Sequence, residues 1–246
     1  MITRHFVYIA ILVAGLLGMS ACAEELHILT TEVPPFVVVE DGKPTGFCVD
    51  VTEEIERRIG EKHPIEFFPW ARAYKTALSQ PHSLLLCPKR TEEREPLFKW
   101  VGPMVRSDTD LYVKSNAAVH VNSLQDAMAL TEILIPRESY SYQYLQDRGF
   151  KNLRPVNDVP GTLRMLLAGR APAMVFDVPQ LDAFLKQENI SRSEIKSVFR
   201  LLSIPCELGF SRDTPDLTIE RWQKALDAMK KDGSYGRLVD KWFPVH

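Results

Sequence analysis

Short apolar, β-branched runs alternate with helical patterns along almost the whole chain. The first run covers residues 26–31, and apolar residues then recur at every fourth position, as on one helix face, at Val51, Ile55 and Ile59. Further β-type runs lie at 64–68, 84–87, 132–135, 152–156 and 173–176, with helical patterns between them at 71–79, 140–148, 161–168 and 180–188. Strands that alternate with helices form mainly parallel sheets covered on both faces. The chain is therefore predicted to have an α/β fold.

The alternation falls into two blocks, which extended segments separate, and a tail with one β-type run and two helical patterns follows the second block. We expect two lobes joined by crossings near residues 113–118 and 199–205. The first lobe is predicted to contain residues 24–115 together with 204–246. The second lobe is predicted to contain residues 116–203.

The amino terminus has the order of a secretory signal peptide. Arg4 precedes an apolar run at residues 6–17, and the small residues Ala21 and Ala23 follow it. The run is shorter than the about 20 apolar residues of a membrane-spanning helix. We expect cleavage after Ala23 and export to the periplasm. The alternative is a lipoprotein modified at Cys22, although methionine stands where the lipoprotein motif usually has leucine.

Composition and motifs limit the possible functions. The formal net charge is −2 and no basic stripe is present, which argues against nucleic acid as a partner. The sequence contains no G-x-S-x-G elbow, no H-E-x-x-H, no G-x-G-x-x-G and no phosphate-binding loop, and its histidines lack the spacing of metal ligands. No residue stands out as a catalytic nucleophile, so we do not expect an enzyme.

Several short motifs follow one another in an order that is more specific than any one of them. They are Val33-Pro-Pro-Phe36, Gly46-Phe-Cys-Val-Asp50, Pro69-Trp70, Thr91-Glu-Glu-Arg94, Phe98-Lys-Trp-Val-Gly-Pro103, Gly169-Arg-Ala-Pro-Ala-Met-Val-Phe-Asp177 and Lys231-Asp-Gly-Ser-Tyr-Gly236. Across essentially the whole mature chain, this order resembles that of the family 3 extracellular solute-binding proteins of bacteria. The resemblance implies a two-lobed periplasmic binding protein, type II-like, with a ligand cleft between two open sheets.

The resemblance also implies a function and its partners. Such a protein, expected here to be a monomer without a cofactor, delivers an amino acid or a similar small charged solute to an ABC-type membrane transporter. Two other functions on the same scaffold stay open. One is a periplasmic dehydratase that acts on prephenate-like acids, and the other is a sensor of solutes.

The same resemblance assigns opposite charges of the ligand to two residues. Arg94 matches the arginine that holds the ligand carboxylate, and a planar guanidinium suits the two oxygens of that group. The alternative is an exposed arginine paired with Glu93 or Glu95. Asp177 matches the aspartate that receives the α-ammonium group of the ligand; the alternative is a helix N-cap.

Five further residues complete the predicted site. Phe36 and Trp70 match positions of the cleft walls, although either residue could belong to the core instead. Arg72 and Lys89 depart from the family pattern, and they would favour an anionic ligand if they face inward rather than solvent. Ser139 stands where the family has a hydroxyl residue, and it is predicted to cap the following helix and to touch the ligand carboxylate.

The cysteines predict one covalent link. Cys48 opens the first predicted helix and Cys87 ends the third predicted strand, two places that converge at the cleft edge of such a sheet. An oxidising compartment permits a disulfide. We expect a Cys48–Cys87 disulfide, with Cys206 free.

Overall fold

A computed structural model describes residues 26–137 and 139–243 of the chain. The predicted signal peptide, its cleavage site after Ala23 and the alternative lipid attachment at Cys22 lie outside the described residues. The strands are β1 His27–Thr30, β2 Val38–Glu40, β3 Lys43–Thr45, β4 Ile65–Phe67, β5 Ser83–Leu85, β6 Lys99–Lys114, β7 Ile133–Pro136, β8 Leu153–Val156, β9 Ala173–Asp177 and β10 Ile195–Phe210. The helices are α1 Phe47–Ile59, α2 Trp70–Ser79, α3 Leu124–Met128, α4 Tyr140–Asp147, α5 Val159–Leu167, α6 Val178–Gln187, α7 Asp216–Lys231 and α8 Ser234–Trp242.

The main sheet is mixed and has the strand order β4-β1-β5-β10-β6-β9-β7-β8. Its two ends, β4-β1-β5 and β9-β7-β8, are parallel, whereas the central pairings of β10 with β5, of β10 with β6 and of β6 with β9 are antiparallel. The predicted α/β class is confirmed. The two parallel sheets that we expected are the ends of one sheet, because the long strands β6 and β10 run through both.

Each end of the sheet has its own core, and these cores define two lobes. The first lobe consists of β4-β1-β5 with α1, α2, α7 and α8, and its main core includes Ile28, Phe47 and Trp222. The second lobe consists of β9-β7-β8 with α3, α4, α5 and α6, and it packs around two further clusters. Along β6, Val105 packs against the first core, whereas Leu111 belongs to a core of the second lobe. The predicted lobe bounds, 24–115 with 204–246 and 116–203, stay a prediction.

The carboxyl ends of the parallel strands meet at the space between the lobes. In the first lobe, Thr31 follows β1 and Cys87 follows β5; in the second lobe, Pro136, Val156 and Asp177 are the last residues of their strands. This is the edge at which open α/β sheets bind ligands. Among the residues that the structure describes, no helix combines the length and the apolar character needed to cross a membrane.

Candidate functional site

A cavity of about 520 Å³ lies between the two lobes. Both lobes contribute to its wall, which contains six of the seven predicted ligand residues: Phe36, Trp70, Lys89, Arg94, Ser139 and Asp177. This volume lies within the range of small-molecule sites in proteins. The fold therefore brings these six side chains together, while their contacts with a ligand stay a prediction.

Arg94 projects into the cavity from the turn that follows β5. Its guanidinium donates to the Lys89 carbonyl oxygen at 3.2 Å, and its Cζ lies 5.2, 5.1 and 5.7 Å from the ring centres of Trp70, Tyr74 and Tyr140. Aromatic ring faces attract a cation within about 6 Å without neutralising its charge. The aromatic rings therefore hold the guanidinium in place and leave its charge available.

The alternative interpretation of Arg94, a pair with a neighbouring glutamate, does not fit the described contacts. Glu95 is held by Arg90 instead, through two hydrogen bonds of 2.6 Å. Arg90 also donates to the buried Glu207 carboxylate at 2.9 Å. Within the described part of the chain, no ion pair involves Arg94, so its donors can bind an anion from outside.

Asp177 is the last residue of β9 and the N-cap residue of α6, but its side chain makes no capping hydrogen bond. Its Oδ2 instead accepts from the Lys89 ammonium at 2.7 Å, and its Oδ1 accepts from the Thr109 hydroxyl. Both partners in this ion pair are largely buried, with side-chain exposures of 14% for Lys89 and 17% for Asp177. The Lys89 ammonium thus lies where a ligand ammonium was expected.

Aromatic side chains form the walls of the cavity. Trp70 is stacked on Tyr74 with 5.6 Å between the ring centres. Phe36 lines the cavity and is also part of the core of the first lobe, where its ring lies 5.7 Å from that of Phe243. Phe36 is therefore both a wall residue of the cavity and a core residue of the first lobe.

Ser139 caps α4 as the sequence predicts. Its hydroxyl accepts from the Tyr142 backbone amide at 3.1 Å and donates to the Pro136 carbonyl at 2.8 Å. The hydroxyl hydrogen is therefore already used in a hydrogen bond, although the oxygen lies in the cavity wall.

Arg72, by contrast, is absent from the cavity wall. It is exposed, and its guanidinium carbon lies 4.4 Å from the Phe68 ring centre.

Ser107 is a cavity residue that sequence reasoning missed. It is 1% exposed, and its hydroxyl has no hydrogen-bond partner among the described residues. Side chains alternate along a strand, so Ser107 and Thr109 face the same side of β6. Ser107 lies between the predicted extended segments and in no recognisable motif, so no pattern pointed to it. Tyr140, Phe176 and Phe184 also line the cavity, and none of them is among the predicted ligand residues.

Gly46 fixes the loop that carries Phe36. At φ 120° it occupies a conformation that residues with a side chain rarely adopt, and a Cβ atom here would lie 2.6 Å from the Phe36 carbonyl oxygen. This close approach lets the backbone amides of Phe47 and Cys48 donate to the Pro35 and Phe36 carbonyls at 3.1 and 2.9 Å. The start of α1 is therefore hydrogen-bonded directly to the cavity loop.

Cys48 and Cys87 are joined by a disulfide, with 6.3 Å between their Cα atoms. This distance lies within the usual range for disulfides. The bond connects the first turn of α1 with the segment that leads from β5 to Lys89 and Arg94. Cys206 is a free cysteine and is buried.

Residues 26–245 match the model of the family described as bacterial extracellular solute-binding proteins, family 3. The chain belongs to this family. The resemblance inferred from the motif order is thus confirmed. Members of this family are solute-binding proteins.

Three proteins that are similar to this family 3 chain are binding proteins or have the fold of binding proteins. A probable amino-acid-binding protein of Bacillus subtilis (strain 168), YxeM, is 25% identical over 238 residues, which cover 92% of this chain and 88% of the relative. A putative binding component of an ABC transporter from Wolinella succinogenes, solved with lysine, has a TM-score of 0.75 at 23% identity, over 90% of this chain and 97% of that one. A histidine kinase sensor domain similar to periplasmic binding proteins has a TM-score of 0.77 at 18% identity, over 89% and 96% of the two chains. At these identities, the two solved structures support the two-lobed fold alone.

Proposed function

We propose that this protein captures a small carboxylate solute, an amino acid or a related acid, in the cavity between its lobes, and delivers it to an ABC-type membrane transporter. The observation that carries the proposal is the position of Arg94. Its guanidinium lies in the cavity wall, is held by aromatic rings and makes no described ion pair. A forked cation of this kind binds a carboxylate through two parallel hydrogen bonds.

The proposed function includes capture by closure of the lobes. A ligand held by Arg94 of the first lobe also contacts the cavity wall of the second lobe, so it stabilises the arrangement in which the lobes are close together. The protein is proposed to act as an exported monomer in the periplasm. The amino-acid-binding relative in Bacillus subtilis supports an amino acid or a related acid as the solute class.

A thermal-shift screen of amino acids, diacids and polyamines tests this function. A ligand that binds only the folded state raises the unfolding midpoint by mass action, and the shift grows with ligand concentration. We expect hits among carboxylates and none among polyamines. For each hit, small-angle scattering at saturation should give a smaller radius of gyration than the free protein. A radius that does not change with a verified, saturating ligand would contradict capture by closure.

The alternative function, a dehydratase, would require a proton-transferring residue in the same cavity. A catalytic carboxylate must exchange a proton with the substrate, and the two carboxylates of the described cavity wall are Glu32, which is exposed, and Asp177, which is paired with Lys89. Recovery of the bound solute in unchanged form after prolonged incubation distinguishes binding from turnover. Delivery and sensing are distinguished by the membrane protein that co-purifies with the closed, ligand-bound form.

A further inference from the structure

We propose that Lys89 determines specificity by supplying, from the protein itself, the ammonium group that pairs with Asp177. The solute is then a carboxylic acid that carries no ammonium group beside its carboxylate. This inference rests on the proposed function, and it narrows the solute class from amino acids and related acids to the acids that lack the amine.

Asp177 is already held by two groups of the protein. One carboxylate oxygen accepts from the Lys89 ammonium at 2.7 Å, and the other accepts from the Thr109 hydroxyl. Lys89 is itself held by its backbone, because it forms a β-bridge with Cys206 and its carbonyl accepts from Arg94. Each carboxylate oxygen can still accept a second hydrogen bond, but an ammonium of the solute that used it would lie beside the largely buried Lys89 ammonium, so that two like charges would share one carboxylate. Displacement of Lys89 would instead leave the lysine charge buried without its partner, which is strongly unfavourable.

Arg94 carries the charge that remains in the interior of the described cavity wall. The charged wall residues of the cavity are Glu32, Lys89, Arg94, Arg137 and Asp177. Lys89 and Asp177 neutralise each other. Glu32 and Arg137 are exposed, and Arg137 donates to the Asn157 side chain at 2.6 Å. The partly buried Arg94 therefore supplies the remaining interior charge among the described wall residues, and this charge is complementary to one carboxylate.

The body of the solute would lie against aromatic side chains of the cavity wall. The space beside Arg94 is surrounded by uncharged aromatic rings, which belong to Trp70, Tyr140, Phe176 and Phe184. Aromatic walls of this kind contact an apolar or aromatic body through ring faces and edges. The Ser107 hydroxyl, which has no described partner, offers a hydrogen bond to one polar atom. A monocarboxylic acid with an apolar or aromatic body satisfies all of these groups.

Isothermal titration with matched pairs tests the inference. Each pair consists of an amino acid and the same acid without its amine: L-phenylalanine with 3-phenylpropionate, L-leucine with 4-methylpentanoate, and L-glutamate with glutarate. On the wild-type protein, we expect at least one acid without the amine to bind about tenfold or more tightly than its amino acid. In the Lys89→Met variant, Asp177 loses its partner, so this preference should fall at least about tenfold in favour of the amino acid.

A second variant keeps the test informative if Lys89→Met does not fold. The double variant Lys89→Met, Asp177→Asn removes both charges, and far-UV circular dichroism checks its folding. It should bind the acid without the amine and show no gain in affinity for the amino acid.

The inference is overturned if wild-type protein binds amino acids as tightly as the matched acids without the amine, in an Arg94-dependent manner. That result leaves the proposed function intact. If no member of any pair binds to folded wild-type protein, the proposed function and this inference both fail.

Discussion

The guanidinium carbon of Arg94 lies 5.7 Å from the ring centre of Tyr140, and this contact joins the two lobes across the cavity. Arg94 belongs to the turn after β5 in the first lobe, whereas Tyr140 is the first residue of α4 in the second lobe. Burial raises the pKa of the Tyr140 hydroxyl above its usual range, and the charge of Glu93 adds to this effect. The uncharged Tyr140 ring of the second lobe thus lies over the Arg94 guanidinium of the first lobe.

Replacement of Arg94 by alanine should weaken solute binding at least tenfold. The variant removes one partner of a charged, partly buried hydrogen bond, a loss that costs on the order of 2–5 kcal/mol of binding free energy. Titration calorimetry with the solute from the screen measures the loss. Arg72→Ala is the matched control, because Arg72 is an exposed arginine outside the cavity wall. Equal affinity losses in the two variants would show that net charge, rather than the Arg94 position, controls binding.

Replacement of Ser107 by alanine should weaken binding without weakening the fold. The hydroxyl is buried and has no hydrogen-bond partner among the described residues, so the unliganded protein loses little when it is removed. A hydrogen bond to the solute contributes about 1 kcal/mol. Affinity and the urea midpoint are measured together. Ser79→Ala, at the exposed end of α2 and outside the cavity wall, is the control that should leave affinity unchanged. An unchanged affinity in Ser107→Ala removes this residue from the site.

The sequence pattern predicts most of the short elements but not the two long strands. β6 and β10 each contain 16 residues, whereas the sequence predicts separate extended segments with crossings between them. Pro103 and Pro205 explain the difference, because proline lacks a backbone donor and normally breaks a strand prediction. The strands continue past both prolines, and pairing irregularities interrupt the ladder of β10 with β6, one of them between Cys206 and Leu208.

Side-chain contacts between distant segments are harder to predict than elements. The sequence places Tyr74 and Leu78 on one face of the helix predicted at 71–79, yet α2 buries Ala73 and Ala77 and leaves Leu78 44% exposed. Small alanine side chains let the helix approach the sheet closely, a preference that hydrophobicity alone does not reveal. The pairing of Lys89 with Asp177 escapes sequence reasoning for a related reason, since it depends on how the two lobes meet.

Replacement of Gly46 by alanine should destabilise the protein more than replacement of Gly60. Both glycines flank α1 and have positive φ. Gly60, at φ 75° and ψ 28°, is in the left-handed helical region, where alanine costs about 1–2 kcal/mol. Gly46, at φ 120° and ψ 167°, is in a region that is essentially restricted to glycine, so alanine is strained more there. A Cβ at Gly46 also meets the Phe36 carbonyl oxygen at 2.6 Å, whereas a Cβ at Gly60 meets no atom within 4 Å. Urea unfolding of Gly46→Ala and Gly60→Ala compares the two costs. Equal losses of unfolding free energy would show that the Phe36 loop moves away from the new Cβ without strain.

The Cys48–Cys87 bond should appear in peptide maps made without reductant, as a linked pair of peptides. In a chain that begins at residue 24, thiol titration should find one thiol in denaturant and almost none in the native state, because Cys206 is buried and burial raises the pKa of its thiol to about 12. The double variant Cys48→Ser, Cys87→Ser should lose about 2–4 kcal/mol of stability. Cys206→Ala should abolish the titrated thiol and keep the linked peptides. Three reactive thiols in denaturant would contradict the bond.

Glu54 should make stability depend on pH in the acid range. Arg57 donates two hydrogen bonds of 2.7 Å to its carboxylate and Arg58 donates another of 2.7 Å. These contacts, with that of Arg57 the largest, lower the pKa of Glu54 from 4.5 to about 2. Because the folded state then binds fewer protons than the unfolded state, the contribution is fully present above about pH 4.5 and is lost as the pH falls toward 2.

The Glu54→Gln variant checks this pH dependence. We expect it to be less stable than wild type at neutral pH, by a modest amount because Arg57 is largely exposed and water screens its charge. Urea unfolding of both proteins at a series of pH values should show the difference in unfolding free energy shrinking between about pH 4.5 and pH 2. Added salt should reduce the difference at neutral pH as well, since it screens exposed charges. Two stability curves that stay parallel through the acid range would show that Glu54 titrates alike in the folded and unfolded chains.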